Sequence, residues 1–576
     1  MMWIMWTISI VSIVSMHASQ AERVVAPAGS VSIQLQDVTK SSGIDFTTTS
    51  GDAVSSQILE VKGGGIALID MDNDGDFDLF FPNGATLAQP ARGPGARLYE
   101  NLGGMVFRDV TASSGINHHA WSFGCAVGDF DADGFDDIYI ACAGPDHLLK
   151  NLGGGKFADV TGAAGLGHEN LWGTSAAFAD LDGDHDLDLY VVNYVECDPA
   201  KPIPPAQFRG FEVINGPRGL VAQPDLLYEN LGNGTFADRS AESGIRAPQA
   251  SYGLNVAVLD LTHDGLPDIY VGNDSQSNFL FKNLGGLRFQ EIGTRTGTAT
   301  NIDGAEQATM GIAIGDVNND ARADILTTNF SDDTNTLFVQ RNDCFFDDRT
   351  SQYGVGIPSR TLCGWGAAFV DLDHDGDEDI FVVNGHVYPQ ATRATMNSDY
   401  AQPPLVMSRD GARFFQLKDA AQSWLNVPRR DRSLVIADLD GDGDQDAVVV
   451  GLNEPVQVLK NTHDSKEDWV IIALNDTAHP ANRHAVGARV ELSVGDLHET
   501  RWIIGGGPFQ SNTSLQAHFG LGAVTPANAQ MPIQVSVTWP GGEKTTATVA
   551  RGRRTVLNPN GAASGPSPAP APSSAK

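Results

Sequence analysis

The stretch that decides the fold is Asp371-Leu-Asp373-His-Asp375-Gly376-Asp-Glu-Asp379, which lies between the apolar runs Ala367-Ala-Phe-Val370 and Ile380-Phe-Val-Val383. Both runs are short and rich in β-branched and aromatic residues, which is typical of buried strands. The glycine at the sixth position of the acidic stretch permits a sharp turn. The pattern therefore predicts a strand, a tight acidic loop and a second strand.

The same pattern occurs seven times along the chain. We number these segments Asp loops 1 to 7 by their first residues: Asp70, Asp129, Asp180, Asp260, Asp316, Asp371 and Asp438. Successive loops begin 51 to 80 residues apart, a period that suits a four-stranded propeller blade. A second half-repeat follows most loops, as in Leu98-Tyr-Glu-Asn-Leu-Gly-Gly-Met-Val-Phe107, and predicts a tight hairpin. The sequence therefore predicts an all-β fold, a seven-bladed β-propeller followed by a small β-rich C-terminal domain.

The two ends of the repeat region complement each other. The segment Leu35-Gln-Asp-Val-Thr-Lys-Ser-Ser-Gly-Ile44 matches the last strand of a repeat, although no earlier repeat precedes it. The seventh repeat contains Val456-Gln-Val-Leu-Lys-Asn461 but has no matching final strand. We expect the N-terminal strand to complete the seventh blade and to leave no open sheet edge. Eight blades are the main alternative count.

The spacing of the aspartates indicates what the loops bind. Calcium takes six to eight oxygen ligands, largely carboxylates, on a tightly curled backbone. Residues one, three and five of each loop direct side chains toward one centre, residue seven can offer its carbonyl, and residue nine closes the site. As simple polar turns, these loops would hold several carboxylates whose charges repel one another. The sequence therefore predicts up to seven calcium ions.

The loops differ in completeness. Four carry the full pattern: Asp70, Asp72, Asp74, Asp76 and Asp78; Asp129, Asp131, Asp133, Phe135 and Asp137; Asp371, Asp373, Asp375, Asp377 and Asp379; Asp438, Asp440, Asp442, Asp444 and Asp446. Three carry an altered position: Asp180, Asp182, Asp184, Asp186 and Asp188, with His185 in place of glycine; Asp260, Thr262, Asp264 and Asp268; Asp316, Asn318, Asp320 and Asp324, with Ala321 in place of glycine. We expect these three to bind calcium more weakly or not at all.

The charge balance narrows the choice of partners. The 576 residues include 71 acidic and 37 basic side chains, a net charge of −34. Such a charge repels nucleic acid and anionic membrane surfaces.

The sequence contains no G-x-S-x-G, H-E-x-x-H or phosphate-loop motif, and no nucleophile lies beside a recognisable base. The lack of these motifs favours a calcium-stabilised binding or adhesion module over an enzyme.

The remaining segments suggest domain boundaries. The apolar N-terminus predicts a cleaved secretory signal over residues 1–21 and hence a secreted, extracellular or periplasmic protein; an uncleaved anchor is the alternative. We expect the propeller over residues 30–465, the C-terminal β domain over 466–558 and a disordered tail over 559–576. No other segment is apolar enough for stable membrane insertion. A proline-rich insertion from about Tyr194 to Pro224 explains the longest loop spacing and predicts a long surface excursion.

Export permits disulfides, and the chain has five cysteines. Cys125 and Cys142 flank one Asp loop, so they are candidates for a bridge between adjacent strands, as are Cys344 and Cys363. Buried free thiols are the alternative for each pair.

Short motifs outside the Asp loops carry a family resemblance. The segments Trp121-Ser-Phe-Gly124, Trp172-Gly173 and Cys363-Gly-Trp-Gly-Ala-Ala368, together with the loops, resemble FG-GAP/VCBS repeats of the integrin α propeller. The C-terminal part resembles an ASPIC/UnbV domain in these segments: Asn482-Arg-His-Ala-Val-Gly-Ala-Arg-Val490, Gly505-Gly-Gly507, Ser511, His518-Phe-Gly-Leu-Gly522 and Val537-Thr-Trp-Pro-Gly-Gly542. Together they resemble the cartilage acidic protein-like group, which implies an extracellular calcium-binding protein.

Three functions remain compatible with these observations. The first is a calcium-stabilised binding or adhesion module for an extracellular protein or glycan. The second is an extracellular polysaccharide lyase or hydrolase that uses the propeller face. The third is a chiefly structural propeller whose C-terminal domain binds partners.

Overall fold

The computed structural model describes residues 33–167, 170–342, 344–418, 423–463, 467–526 and 528–561. The expected signal peptide and residues 562–576 of the expected tail lie outside these ranges. Strands dominate the described part, as the sequence predicts. Its helices and 3₁₀ turns are short: Thr39–Ser42, Ile58–Val61, Thr111–Ser114, Gly293–Thr296, Thr350–Tyr353, Gly356–Ser359, Arg393–Met396, Ser423–Asn426 and Pro480–Asn482.

The repeat region contributes four antiparallel strands to each of seven sheets within the described residues. In chain order their strands are Ala67–Ile69, Asp78–Phe81, Arg97–Asn101 and Phe107–Asp109; Ser122–Gly128, Asp137–Cys142, His147–Asn151 and Phe157–Asp159; Gly173–Ala179, Asp188–Asn193, Leu226–Asn230 and Phe236–Asp238; Gly253–Leu259, Asp268–Asn273, Phe279–Asn283 and Phe289–Glu291; Ile312–Gly315, Asp324–Thr327, Thr336–Gln340 and Phe346–Asp348; Gly364–Val370, Asp379–Asn384, Leu405–Asp410 and Arg413–Gln416; Asp431–Ala437, Asp446–Gly451, Gln457–Asn461 and Leu35–Asp37. We call these sheets 1 to 7. In each, the Asp loop of the same number joins the first strand to the second.

Sheet 7 takes its fourth strand from the N-terminus. Leu35 lies opposite Asn461 and Asp37 lies opposite Leu459 in an antiparallel pairing. The expectation that the N-terminal strand completes the seventh repeat is confirmed. This pairing ties the two ends of the repeat region together.

Neighbouring sheets pack against each other through buried apolar side chains. Leu68 and Leu79 of sheet 1 share one cluster with Val435 and Val448 of sheet 7. Equivalent clusters join the other consecutive sheets around the molecule. The packing therefore runs in a closed cycle, which is the arrangement of a propeller-type fold.

The C-terminal region forms two further sheets. One contains Leu497–Trp502, Arg489–Val494, Ile533–Thr538 and Lys544–Val549, and the other contains Gln516–Ala523, Glu467–Leu474 and Arg553–Leu557. Both lie on the side of the sheets that carries the Asp loops, since His484 contacts Asp136 in loop 2 and the amide of Gly522 donates to the carbonyl of His374 in loop 6.

One segment of this region contacts the first strands of several sheets. Gly505–Gly506 pairs with the first strand of sheet 4. Ser511 accepts the amide hydrogen of Ile66 in sheet 1, and the carbonyl of Gln510 accepts that of Cys125 in sheet 2. We call residues 505–512 the channel segment, because it contacts first strands from several sheets at once.

The insertion after sheet 3's second strand contains the hairpin Ala206–Phe208 and Phe211–Val213. It joins the second and third strands of its sheet, whereas an Asp loop joins the first and second. The insertion therefore lies on the face opposite the Asp loops.

Cys125 and Cys142 lie on paired strands, but the register places Ile140 opposite Cys125 and Ser122 opposite Cys142. This register keeps the two sulfurs apart, and both are buried free thiols.

Candidate metal centres

All seven Asp loops share one backbone conformation. Residues four and six of each loop have positive φ: Asn73, Gly75, Ala132, Gly134, Gly183, His185, His263, Gly265, Asn319, Ala321, His374, Gly376, Gly441 and Gly443. His185 and Ala321 adopt the left-handed conformation, at φ 75° and 63°, where the other loops have glycine. His185 and Ala321 therefore strain the turn, but its backbone keeps the same conformation as in the other loops.

The first aspartate holds each turn together. One of its carboxylate oxygens accepts the amide hydrogen of loop residue six at 2.8–3.1 Å in all seven loops. This hydrogen bond closes the turn around the first carboxylate. The other carboxylates of the loop then lie on the same side of the backbone.

The ninth aspartate ties the loop to its sheet. One oxygen accepts the amide hydrogen of loop residue two at 2.9–3.2 Å. The other oxygen accepts an amide hydrogen near the end of the third strand at 2.7–2.9 Å. These hydrogen bonds give the ninth aspartate a structural role, which the sequence did not predict, in addition to its predicted role as a metal ligand.

Five Asp loops bring acidic groups close together. Within the described part of the chain, carboxylate oxygens lie within 4.8 Å of one another in these sets: Asp70, Asp72 and Asp74; Asp129, Asp131 and Asp137; Asp180, Asp182 and Asp188; Asp371, Asp373 and Asp375; Asp438, Asp440 and Asp446. Loops 4 and 5 carry Thr262 and Asn318 at the third position, so each has one carboxylate fewer. The geometry therefore groups loop 3 with the four complete loops, despite His185.

Buried oxygens without partners occur in the same five loops. Each loop has at least one carboxylate oxygen that is inaccessible to solvent and accepts no hydrogen bond from the described residues; these oxygens include one each of Asp76, Asp131, Asp186, Asp371 and Asp440. An unpaired buried polar atom costs about 1–3 kcal/mol, and more when it is charged. A bound cation would remove that cost, so the residues present fit a calcium ion.

Burial and neighbouring negative charges raise the pKa of several aspartates in the loops. Burial raises the pKa of Asp78, Asp137 and Asp188 to about 9. Burial and the charge of Asp74 raise the pKa of Asp76 to about 8. Burial and neighbouring carboxylates likewise raise the pKa of Asp375 to about 7. A cation at the centre of each cluster would favour the ionised forms and lower these pKa values.

Lysines from the third strands reach three of the loops, which the sequence pattern did not predict. Lys150 forms ion pairs with Asp131 and Asp133, and Lys460 does the same with Asp440 and Asp442. In loop 4, Lys282 lies 2.7 Å from Asp264. These ammonium groups offset part of the negative charge.

A second residue of the third strand links each sheet to the preceding one. The side-chain amide donates to the carbonyl of residue two in the preceding Asp loop at 2.7–2.9 Å, in these six pairs: Asn101 to Leu439, Asn151 to Met71, Asn230 to Phe130, Asn283 to Leu181, Gln340 to Leu261 and Asn461 to Leu372. Sheet 6 has Arg409 at this position. The asparagine that recurs before Leu-Gly in the half-repeat is the sequence signal for this contact.

The C-terminal region covers several Asp loops directly. Arg483 and His484 pair with Asp136 at 3.0 and 2.9 Å. The ring of His479 stacks on His185 of loop 3 at 3.7 Å. The imidazole of His518 lies 3.1 Å from the carbonyl oxygen of Gly443 in loop 7. The candidate metal centres therefore lie between the ring of sheets and the C-terminal sheets.

Comparison with known families agrees with this architecture. The model of the FG-GAP-like repeat matches residues 70–140, 129–191, 260–327 and 316–382, and the model named ASPIC and UnbV matches residues 478–564. The chain contains FG-GAP-like repeats and an ASPIC and UnbV domain. The first family covers Asp loops 1 to 6, and the second includes the channel segment. Among the described residues, no helix has the length and apolar character needed to span a bilayer.

Curated relatives carry the name cartilage acidic protein 1. The chain is 26% identical to the Xenopus tropicalis protein over 519 residues, which cover 85% of this chain and 72% of the relative. It is 25% identical to the mouse protein and 24% identical to the human protein, each over 66% of this chain. These matches span about half the length of the mouse and human proteins.

Solved structures show a more distant likeness. One is YCF48 bound to a D1 peptide, with a TM-score of 0.38 and 9% identity, covering 73% of this chain and 97% of that one. Another is the rhamnogalacturonan lyase YesW, with a TM-score of 0.35 and 12% identity, covering 72% of this chain and 74% of that one.

Proposed function

We propose that this chain is an extracellular, calcium-binding, seven-bladed β-propeller that acts as a binding or adhesion module for a protein or glycan. The observation that carries the proposal is the coincidence, in the same five loops, of a carboxylate cluster and an unpaired buried carboxylate oxygen. Oxygen donors of this type in a tightly turned loop suit Ca²⁺. The FG-GAP-like repeats and the curated relatives support the extracellular assignment.

Calcium would act here as a structural ion. The ninth aspartate of each loop already fixes the third strand, and the C-terminal region rests on several of the same loops. An ion that fixes the carboxylates would therefore stabilise both the ring and its contact with the C-terminal sheets. The rigid ring would then present a ligand site on the face opposite the Asp loops.

Calorimetric titration of chelator-treated protein with CaCl₂ tests the proposal. We expect five stronger sites and weaker or no binding at loops 4 and 5, together with a rise in Tm on calcium addition. The variant Asp371→Asn should bind one ion fewer, because it alters a cluster oxygen that has no other partner. Asp303→Asn, an exposed change outside the loops, serves as the matched control. Identical melting curves with calcium and with chelator would contradict the proposal.

A further inference from the structure

A cavity of about 470 Å³ lies on the face opposite the Asp loops, between the insertion and the ring of sheets. Its volume falls within the range of about 300–1,000 Å³ that is typical of small-molecule sites. Five aromatic side chains line it: Tyr194, Phe208, Phe330, Trp365 and Tyr388. Phe208, Phe330 and Tyr388 are partly exposed and are suited to stacking against the apolar face of a ring-shaped ligand, whereas Tyr194 and Trp365 are buried.

The insertion supplies one side of the cavity and is fixed in place. Phe208 packs against Phe330 and Tyr388, with ring centroids 6.4 and 5.7 Å apart. The amide of Ile203 donates to the Gln57 side chain at 2.7 Å. These contacts reach sheets 5 and 6 and the segment before sheet 1, so the cavity is formed before a ligand arrives.

A buried ammonium group lies at the base of the cavity. The Lys62 side chain is 4% exposed and lies 4.4 Å from the centre of the Tyr194 ring. Among the described residues, its one hydrogen-bond acceptor is Asp274, at 3.3 Å. Asp274 also accepts hydrogen bonds from the hydroxyls of Tyr194, at 2.6 Å, and Ser275, at 3.0 Å. An ammonium has three hydrogens to donate, so Lys62 can donate further hydrogen bonds to a ligand. Asp274, in contrast, already accepts hydrogen bonds from several donors.

The surroundings of the cavity carry excess positive charge. The guanidinium of Arg432 stacks on Trp365 at 4.1 Å and donates to the carbonyl oxygens of Val61 and Gly385. Within the described ranges, no carboxylate lies within ion-pair distance of Arg432. Arg432 lies behind Trp365 and does not itself line the cavity, whose charged lining residues are the two cations Lys62 and Arg218 and the one carboxylate Asp274. This local excess contrasts with the net charge of −34 for the whole chain.

Arg218 adds a second cation at the rim. Its side chain is exposed and donates to the carbonyl oxygen of Ser275 at 3.3 Å. A guanidinium offers five hydrogens in a planar fork that matches a carboxylate. Lys62 at the base and Arg218 at the rim thus line one aromatic cavity from two sides.

We propose that this cavity binds a carboxylate-bearing sugar, such as a uronic acid residue of an acidic saccharide. The partly exposed rings of Phe208, Phe330 and Tyr388 contact the C–H face of the sugar ring. Lys62 and Arg218 bind its carboxylate. Gln207 and Asn215, which also line the cavity, supply amide groups for the hydroxyls. The inference rests on the proposed binding function and names the class of ligand.

Calorimetric titration of the calcium-loaded full chain with α-1,4-linked trigalacturonic acid, and separately with its methyl ester, tests the inference. The ester keeps the sugar rings and removes the charge. We expect the acid to bind at least tenfold more tightly than the ester. Equal affinities would show a site for neutral sugar and would overturn the anionic assignment. Absence of binding by both probes would overturn the proposal as a whole.

Three variants locate the site. Lys62→Met and Arg218→Gln should each weaken binding of the acid at least tenfold. Lys201→Gln serves as the control, because Lys201 is an exposed cation of the same insertion that pairs with Asp198 and does not line the cavity. If Lys62→Met does not fold, the exposed Arg218→Gln variant still gives the answer. An equal loss in all three variants would indicate general electrostatic attraction and would sink the assignment to this cavity.

The calcium response of the same samples separates the two proposals. A normal calcium-induced rise in Tm without binding of trigalacturonic acid would overturn the cavity assignment alone. Binding of the acid without any response to calcium would instead overturn the calcium-dependent part of the proposed function.

Discussion

The side-chain amide of Asn101 donates a hydrogen bond to the carbonyl oxygen of Leu439 at 2.9 Å, although 338 residues separate the two. Asn101 ends the third strand of sheet 1, and Leu439 is the second residue of Asp loop 7. The same side chain also donates to Phe77 and accepts from the amide of Gly103. This buried asparagine therefore joins the first sheet to the last.

Replacement of Asn101 tests this connection. Asn101→Ala should lower the free energy of unfolding by about 1–3 kcal/mol, because it leaves buried carbonyl groups without donors. Urea unfolding of the calcium-loaded protein measures the change. Asn342→Ala, an exposed change at the hairpin of sheet 5, should alter stability by less than about 0.5 kcal/mol. Equal effects of the two substitutions would contradict a closing role for Asn101.

Calcium affinity should depend on pH. Burial raises the pKa of Asp78, Asp137 and Asp188 to about 9, so these groups hold protons at neutral pH when no cation is bound. Calcium and protons compete for the same oxygens, so affinity should fall as the pH falls from about 9 and binding should release protons. Titration at pH 7.5 in PIPES and in Tris measures this release, because the two buffers differ in heat of ionisation. The same apparent enthalpy in both buffers would show that no proton is released.

The strain at Ala321 gives a prediction for loop 5. Ala321 has φ 63°, a left-handed conformation that costs a residue with a Cβ about 1–2 kcal/mol. Ala321→Gly removes that strain but adds chain entropy to the unfolded state, so we expect a net stabilisation of up to about 1 kcal/mol. The control is Ala112→Gly in the helix Thr111–Ser114, where glycine should destabilise. Thermal unfolding distinguishes the two; a lower Tm for Ala321→Gly would refute the strain argument.

The channel segment has little room for side chains. A Cβ on Gly506 would lie 2.3 Å from the carbonyl oxygen of Val256, and Gly506 also has φ 76°. Gly506→Ala should therefore destabilise the protein by about 2–3 kcal/mol and expose the C-terminal sheets to limited proteolysis. Gly542→Ala is the matched control, since Gly542 has φ 92° in the same region but open space around it. Comparable proteolysis of both variants would show that backbone strain alone is responsible.

An ion-pair cluster at Asp136 of loop 2 should contribute stability that acid removes. Burial raises the pKa of Asp136, but the charges of His484 and Arg483 outweigh this and lower it to about 2. A carboxyl with a depressed pKa contributes stability that is fully present above its ordinary pKa near 3.8 and is lost as the pH falls toward 2. At pH 6 the contribution is about 2 kcal/mol.

Comparison of wild type with Asp136→Asn in urea at pH 6 and pH 3 isolates this contribution. The stability difference between the two proteins should be largest at pH 6 and should shrink at pH 3. A difference that stays constant with pH would show that the charge of Asp136 does not matter.

The sequence by itself determined the local units of this protein. Alternating aspartates with glycine at the sixth position specify one turn conformation, and the apolar runs on either side specify its two strands. These features depend on neighbours along the chain, so spacing and residue type suffice to predict them. The unmatched segment Leu35–Ile44 likewise pointed to its place in sheet 7, because a lone last strand matches a repeat that lacks one.

Only the tertiary structure decided which distant segments meet. Sequence spacing did not show that the channel segment contacts the first strands of several sheets, or that the Asn101 side chain donates to Leu439. It also marked loop 3 as compromised by His185, whereas the fold brings Asp180, Asp182 and Asp188 together as in the complete loops. The cavity at Lys62 joins residues from the insertion and several sheets. Such contacts arise from the packing of sheets far apart in the chain, and their residues carry no common local pattern.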